Sequence, residues 1–217
     1  MQRPRTDLIA ASSDLNQVIA VPETSEYLIF RYFDARQTFS GSLFVFASES
    51  PYFFGMLQCS YHQAWAGRTG NNLGVGDQNR YNKSETFETF PFPAGLTPDI
   101  PAADYASDPR AQAIAAAAKE LNDKREAWLN PPELVRRVPE VVEGYPDRLL
   151  PVDADAEAIL KKRTLTNLYN ARPAWLAGLH ARLDAAVAAA YGWPEDIAED
   201  DALARLLALN RERAAQS

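Results

Sequence analysis

The sequence predicts an α+β protein: a partial antiparallel β-sheet with one packed helix, followed by an α-helical region. Three observations carry this. Up to about Pro93, aromatic and β-branched residues come in short alternating runs between turn formers. Between Pro51 and Trp65 the apolar residues Phe54, Leu57, Tyr61 and Trp65 recur at spacings of three and four, the mark of a helix with one buried face. From Pro109 onward, alanine-rich stretches of good helix formers dominate.

In order along the chain, Gln17 to Val21, Tyr27 to Phe33 and Ser42 to Phe46 have strand length and composition and read as neighbours in one mostly antiparallel sheet. Ser50-Pro51, a cap residue before a first-turn proline, opens the helix that runs to Trp65. Ala66 to Arg80 holds four glycines and few apolar side chains and reads as a loop. The prolines of Phe90-Pro91-Phe92-Pro93 close the sheet region. Asp108-Pro109 then caps a helix reaching Leu129, followed by a proline-punctuated connector from Asn130 to Pro151. Asp153 to about Asn170, Arg172 to Tyr191 and Asp200 to Ala214 read as three further helices, the second broken by Gly192-Trp193-Pro194.

With 217 residues, 47% hydrophobic and 24% charged, the chain has the composition of a globular protein of one or two domains. Its single Cys59 excludes an internal disulfide framework, and no His/Cys cluster has zinc-ligand spacing. No apolar run approaches the roughly 18 residues of a membrane span, and no signal-peptide core follows Met1, so the sequence reads as soluble and cytoplasmic. The net charge of −7 gives no global attraction for nucleic acid, so any such binding needs a local surface.

The chemistry-bearing candidates are few. His62 and His180 lie far apart in packed helical contexts, and Cys59 reads as a small buried side chain rather than a nucleophile. Asn130-Pro131-Pro132 has the start of the turn that holds the target amino group in amino-methyltransferases, but Glu133 stands where an aromatic is needed to stack on the base. It reads as a helix terminated by prolines. The tryptophans 128, 175 and 193 read as core of the helical part. The Gly-rich loop lacks the lysine and hydroxyl of a phosphate-binding loop. Its Arg, Asn and Gln residues are nonetheless the types that read guanine and adenine edges, with a plain surface loop as the alternative.

Two ordered stretches go further. Phe54 to Trp65, then Arg80-Tyr81-Asn82-Lys83-Ser84 and Phe90 to Pro93, resembles the end of the target-recognition domain of MmeI-like DNA methyltransferases. Leu165 to Leu176, Leu183 to Val187, Ala190 to Pro194 and Leu206 to Arg213 resemble the same family's C-terminal helical domain. Asn82 departs from the family's usual Ser after Arg-Tyr, with Ser84 displaced by two positions.

The resemblance implies that residues 1–94 are the C-terminal portion of a recognition domain and 95–217 a helical domain. It further implies a parent that methylates adenine at N6 in a restriction-modification or related phage-defence system. In that family the domain binding S-adenosylmethionine and the Asn-Pro-Pro-aromatic motif lie upstream. The chain is therefore expected to be a C-terminal fragment, with no catalytic, cofactor or metal residues of its own and inactive alone. Its expected partners are double-stranded DNA and the parent's methyltransferase domain. Arg68, Asn71, Asn72, Gln78, Arg80, Tyr81 and Lys83 are the expected DNA contacts, with Arg31 and Arg36 as weaker phosphate contacts. The rival expectation is a protein-interaction module whose acidic helices dock on a methyltransferase or defence partner without touching DNA. An independent enzyme centred on Cys59 or His62 ranks last.

Overall fold

The computed structural model describes residues 6–69, 79–142 and 145–216. A short helix α1 (Thr6–Ser12) leads into β1 (Gln17–Pro22), whose Val18, Ile19, Ala20 and Val21 are all buried. Burial on both faces marks a central strand, and β1 lies between β3 (Arg31–Asp34) and β4 (Leu43–Phe46), antiparallel to each. The register places Ile19 opposite Tyr32 on one side and Phe46 on the other. A two-residue strand β2 (Thr24–Ser25) intervenes between β1 and β3. The α+β class and the antiparallel sheet expected from the sequence are both present.

The second expected strand is shorter than its composition suggests, and the reason is local. Between Leu28 and Phe30 the backbone bonds to side chains instead of a neighbouring strand. Gln58 accepts from the Phe30 N–H (3.0 Å) through Oε1 and donates to the Leu28 carbonyl (3.3 Å) through Nε2. Arg125 donates to the Phe30 carbonyl at 3.0 Å. These bonds satisfy buried backbone groups without extending the sheet.

The helix expected from Pro51 to Trp65 is two helices, α2 (Pro51–Gln58) and α3 (Ser60–Thr69). Ser50 caps the first through its side chain, and Pro51 occupies the first turn, as the sequence indicated. At Cys59 the backbone turns extended (ψ 155), and the freed Ser60 N–H donates to Asp184 Oδ1 at 2.8 Å. A carboxylate from a distant helix thus supplies the N-terminal cap at the break, which no local periodicity can reveal. Helix α3 also extends into the stretch expected to be loop, reaching Thr69.

The chain resumes at β5 (Asn79–Arg80), which pairs with β2, and passes through one wide π-helical turn, Lys83–Phe87. Helix α4 (Pro109–Leu129) has the expected Asp108 cap and ends at Asn130 before the two prolines. The connector that follows contains an unexpected hairpin, β6 (Val135–Val138) with β7 (Arg148–Pro151). The single helix expected from Asp153 is two, α5 (Ala154–Leu160) and α6 (Leu165–Ala171), the second capped by Thr164. Helix α7 (Ala174–Tyr191) stops at left-handed Gly192 (φ 73), and α8 (Glu199–Gln216) completes the fold.

One buried cluster runs from Ile19 through Phe54, Ile114 and Leu183 to Leu206, so residues on both sides of position 94 share a core. Helix α2 crosses α4 closely at Gly55, where a Cβ would stand 2.7 Å from Ile114 Cγ2 and 3.0 Å from Ala118 Cβ. The tryptophans do not all pack as expected. Trp65 is buried, but Trp175 is 37% exposed, because it sits in the first turn of α7 beyond the reach of the core.

Candidate nucleic-acid interface

The expected contact surface is the polar segment between α3 and β5, and both of its ends are firmly anchored. At the outgoing end, Thr69 Oγ1 donates to the Trp65 carbonyl (2.9 Å) and lies 3.3 Å from Thr86 Oγ1. Trp65 Nε1 in turn donates to the Thr86 carbonyl at 3.1 Å. At the returning end, β5 pairs with β2, and the Tyr81 N–H donates to the Glu23 carbonyl at 2.9 Å. Asn71, Asn72 and Gln78 lie outside the described residues.

Tyr81, expected at the DNA surface, is instead core: it is 1% exposed and makes edge-on ring contacts with Phe30, Phe44 and His62. The polarity of its bond to His62 follows from the neighbours. His62 Nδ1 faces the Leu57 carbonyl at 2.8 Å, which can only accept, so Nδ1 carries the proton. Nε2 is then the acceptor for the Tyr81 hydroxyl at 3.2 Å. Burial holds this imidazole neutral by pushing its pKa down to about 4. The pair fixes the returning strand to α3 and is structural.

The remaining cations differ in what holds them. Arg68 is exposed in the last turn of α3, with no ion-pair partner among the described residues. Arg80 grips Glu23 through Nε (3.0 Å) and Nη2 (2.7 Å), and Lys83 pairs with Glu88 at 3.2 Å. All three flank the same polar segment. Arg31 and Arg36 belong elsewhere. Arg36 is clasped by Asp34, whose carboxyl the guanidinium bonds hold below the usual range. Arg31 is half-buried against Glu126 on α4. Gln17 faces Asp34 while Arg80 faces Thr24, which puts Arg36 and Arg80 at opposite ends of β1, ~20 Å apart by strand rise. The six expected contacts among the described residues therefore do not form one patch: Arg68, Arg80 and Lys83 flank the polar segment, while Arg31 and Arg36 do not.

Sequence reasoning missed the main polar feature of the interior. Arg125, 1% exposed, donates through Nη1 to Gln58 Oε1 and to the Tyr169 hydroxyl, both at 3.0 Å, and its guanidinium lies 5.5 Å from the Phe54 ring centre. Because Arg can only donate, the Tyr169 oxygen accepts from it and the Tyr169 proton goes to His180 Nε2 at 3.0 Å. Burial, reinforced by Arg125 and Arg172, holds His180 neutral with its pKa down to about 4. The only sequence signal was an arginine in a helix position spaced by four from Leu121.

Among the described residues no group of three or more His, Cys, Asp and Glu is placed to hold a metal, and no helix is long and apolar enough to cross a membrane. What the fold and site define is an α+β module in which Arg68, Arg80 and Lys83 flank a polar connecting segment, the last two ion-paired to Glu23 and Glu88. Among solved structures it is similar to the type IIL restriction-modification enzyme MmeI in complex with DNA, with a TM-score of 0.63 and 19% identity. The match covers 94% of this chain and 22% of that one, so the chain spans about a fifth of the length of its structural neighbour. No protein-family description matches the chain. No curated protein matches it either.

Proposed function

We propose that the chain is the DNA target-recognition and helical support part of a restriction-modification enzyme. The observation that carries this reading is the likeness, over 94% of the chain, to a restriction-modification enzyme seen in complex with DNA. Arg68, Arg80 and Lys83, on two anchored ends of one polar segment, are the groups through which it contacts duplex phosphates. On this reading residues 1–94 form the recognition part and 95–217 the brace. The parent methylates adenine at N6 with S-adenosylmethionine, whose site and catalytic residues belong to another part of the parent, in a restriction-modification or related phage-defence system. Double-stranded DNA and that catalytic domain are the partners.

The test is duplex binding measured by fluorescence anisotropy, with Arg68→Glu and Lys83→Glu compared with the unaltered chain. Each reversal should weaken binding several-fold. Unchanged binding in the double variant overturns the assignment of this surface. Methyl transfer from labelled S-adenosylmethionine by the chain alone contradicts its proposed inertness.

A second reading, a protein-docking module, is favoured by one specific observation. Six large apolar side chains stand exposed between residues 141 and 159, led by Val141 at 91% exposure, on or beside the β6–β7 hairpin. Exposed apolar surface concentrated in this way marks contact with another protein. Absence of saturable duplex binding by the unaltered chain favours this reading over the first.

A further inference from the structure

Between α4 and α7 lies a groove of about 610 Å³ that the DNA reading does not use. Its size falls in the roughly 300–1,000 Å³ range of small-ligand sites. Small residues leave it room: Ala127, Ala174 and Gly178 line it, and a Cβ built on Gly178 meets nothing within 4 Å. Gly55 permits a close helix crossing, whereas Gly178 leaves space.

Two indoles border this space. Trp128 already carries the Arg163 guanidinium, 5.4 Å from its ring centre, with Nη1 donating to the Trp128 carbonyl at 2.7 Å. Trp175 is more than a third exposed and has no ring partner or hydrogen bond among the described residues. Lys124 also borders the groove and has no ion pair among the described residues. By contrast, Arg182 is engaged by Glu120 at 2.7 Å. An unstacked indole bordering the same groove as an uncommitted ammonium and a stacked guanidinium is an arrangement that suits a flat ring carrying an anionic group.

We propose that this groove binds one nucleotide unit, with the base stacked on Trp175 and the phosphate held by Lys124 and Arg163. Its length supports a single unit. From Glu120, where the ion pair with Arg182 borders it, to Trp128, just before Pro131 and Pro132, α4 rises ~12 Å. That is room for a base and its phosphate but not for a strand running through. The chain as a whole carries −7 and Glu133 also borders the groove, so selection of an anion here depends on Lys124 and Arg163 outweighing that carboxylate locally. The same chemistry is offered by a free nucleotide and by an unpaired nucleotide of a DNA strand. The site is remote in sequence from Arg68, Arg80 and Lys83, and it does not depend on the duplex-binding proposal.

The experiment is a titration of the full chain with AMP, with adenosine and with a short single-stranded oligonucleotide, followed by tryptophan fluorescence and calorimetry. AMP or the oligonucleotide should bind saturably, with adenosine markedly weaker for want of the phosphate. Trp175→Ala and Lys124→Gln should each weaken that binding about tenfold, and Trp175→Phe should retain most of it. Binding of the oligonucleotide but not AMP assigns the site to a strand; binding of AMP assigns it to free nucleotide. No saturable binding of either, or binding unaltered in both Trp175→Ala and Lys124→Gln, overturns the proposal. Both substitutions lie on the surface, and thermal melts of each variant verify the fold. Duplex binding in these variants reports on the other site alone, so the two proposals fail separately.

Discussion

Arg125 Nη2 donates to the Phe30 carbonyl at 3.0 Å, and this bond joins the long helix α4 to the extended segment that leads into the sheet. The same guanidinium reaches Gln58 on α2 and Tyr169 on α6, so four parts of the fold meet at one cation with no carboxylate paired to it among the described residues. A buried charge held only by neutral acceptors is stabilising only while every acceptor is in place. Replacing Arg125 by Leu should cost about 3–5 kcal/mol, because the Phe30 carbonyl, Gln58 and the Tyr169 hydroxyl lose their donor together. Lys cannot span three acceptors, so Arg125→Lys should be nearly as damaging. Urea unfolding of the two variants measures this, and a loss below about 1 kcal/mol contradicts the joint.

The close crossing at Gly55 gives a second expectation. Gly55→Ala places a methyl 2.7 Å from Ile114 Cγ2 and should destabilise by about 1–3 kcal/mol. Trimming the opposing side chain in Gly55→Ala/Ile114→Ala removes Cγ2, the nearest clashing atom. The double variant should therefore be less unstable than the sum of the two single ones, as a double-mutant cycle by thermal melting would show.

Acid should destabilise the fold in a definable window. His62 and His180 both have native pKa values near 4, below the unfolded value, so their contribution is complete above about 6.5 and is lost as pH falls toward 4. Each is worth on the order of 1–3 kcal/mol over that range. Asp184 opposes them: burial raises its pKa to about 6, so protonation below that value stabilises the native state. Two imidazoles outweigh one carboxyl, and stability should fall on acidification. Asp184→Asn keeps an acceptor for the Ser60 N–H, should stabilise at pH 7, and should steepen the loss toward pH 4. Melting temperatures from pH 4 to 8 measure this, and a flat profile contradicts it.

Glu23 holds Arg80 by two hydrogen bonds to one carboxylate oxygen, at a site where both side chains are partly exposed. Such a pair contributes roughly 0–1 kcal/mol to stability. Glu23→Gln should therefore leave the fold intact while freeing Arg80 for phosphate, strengthening duplex binding a few-fold. Weaker binding in this variant means that the ion pair positions Arg80 and does not compete for it.

Much of the fold was legible because its signals are local. Ser50 and Asp108 cap through their own side chains, Pro51, Pro109 and Gly192 act through their own backbone, and all mark helix ends where the sequence placed them. What was not legible depends on distant partners. Asp184 caps the break at Ser60, and Gln58 and Arg125 take over backbone bonds that a longer β3 would have made. The hairpin at Val135 was hidden by a proline-rich surrounding and exposed faces, which erase the usual alternation. For the site, residue type suggested surface roles for all the polar groups of the Arg-Tyr segment. Tyr81 shows the limit of that rule, since a phenol can spend its one polar atom on a buried histidine.

The most direct test of the central proposal is the salt dependence of duplex binding by this chain. If Arg68, Arg80 and Lys83 contact phosphates, the logarithm of the association constant should fall with the logarithm of salt concentration with a slope of about −2 to −3. That slope should lose about one unit in Arg68→Ala. A slope near zero, or one unchanged by Arg68→Ala and Lys83→Ala, contradicts a DNA-contacting role for this surface.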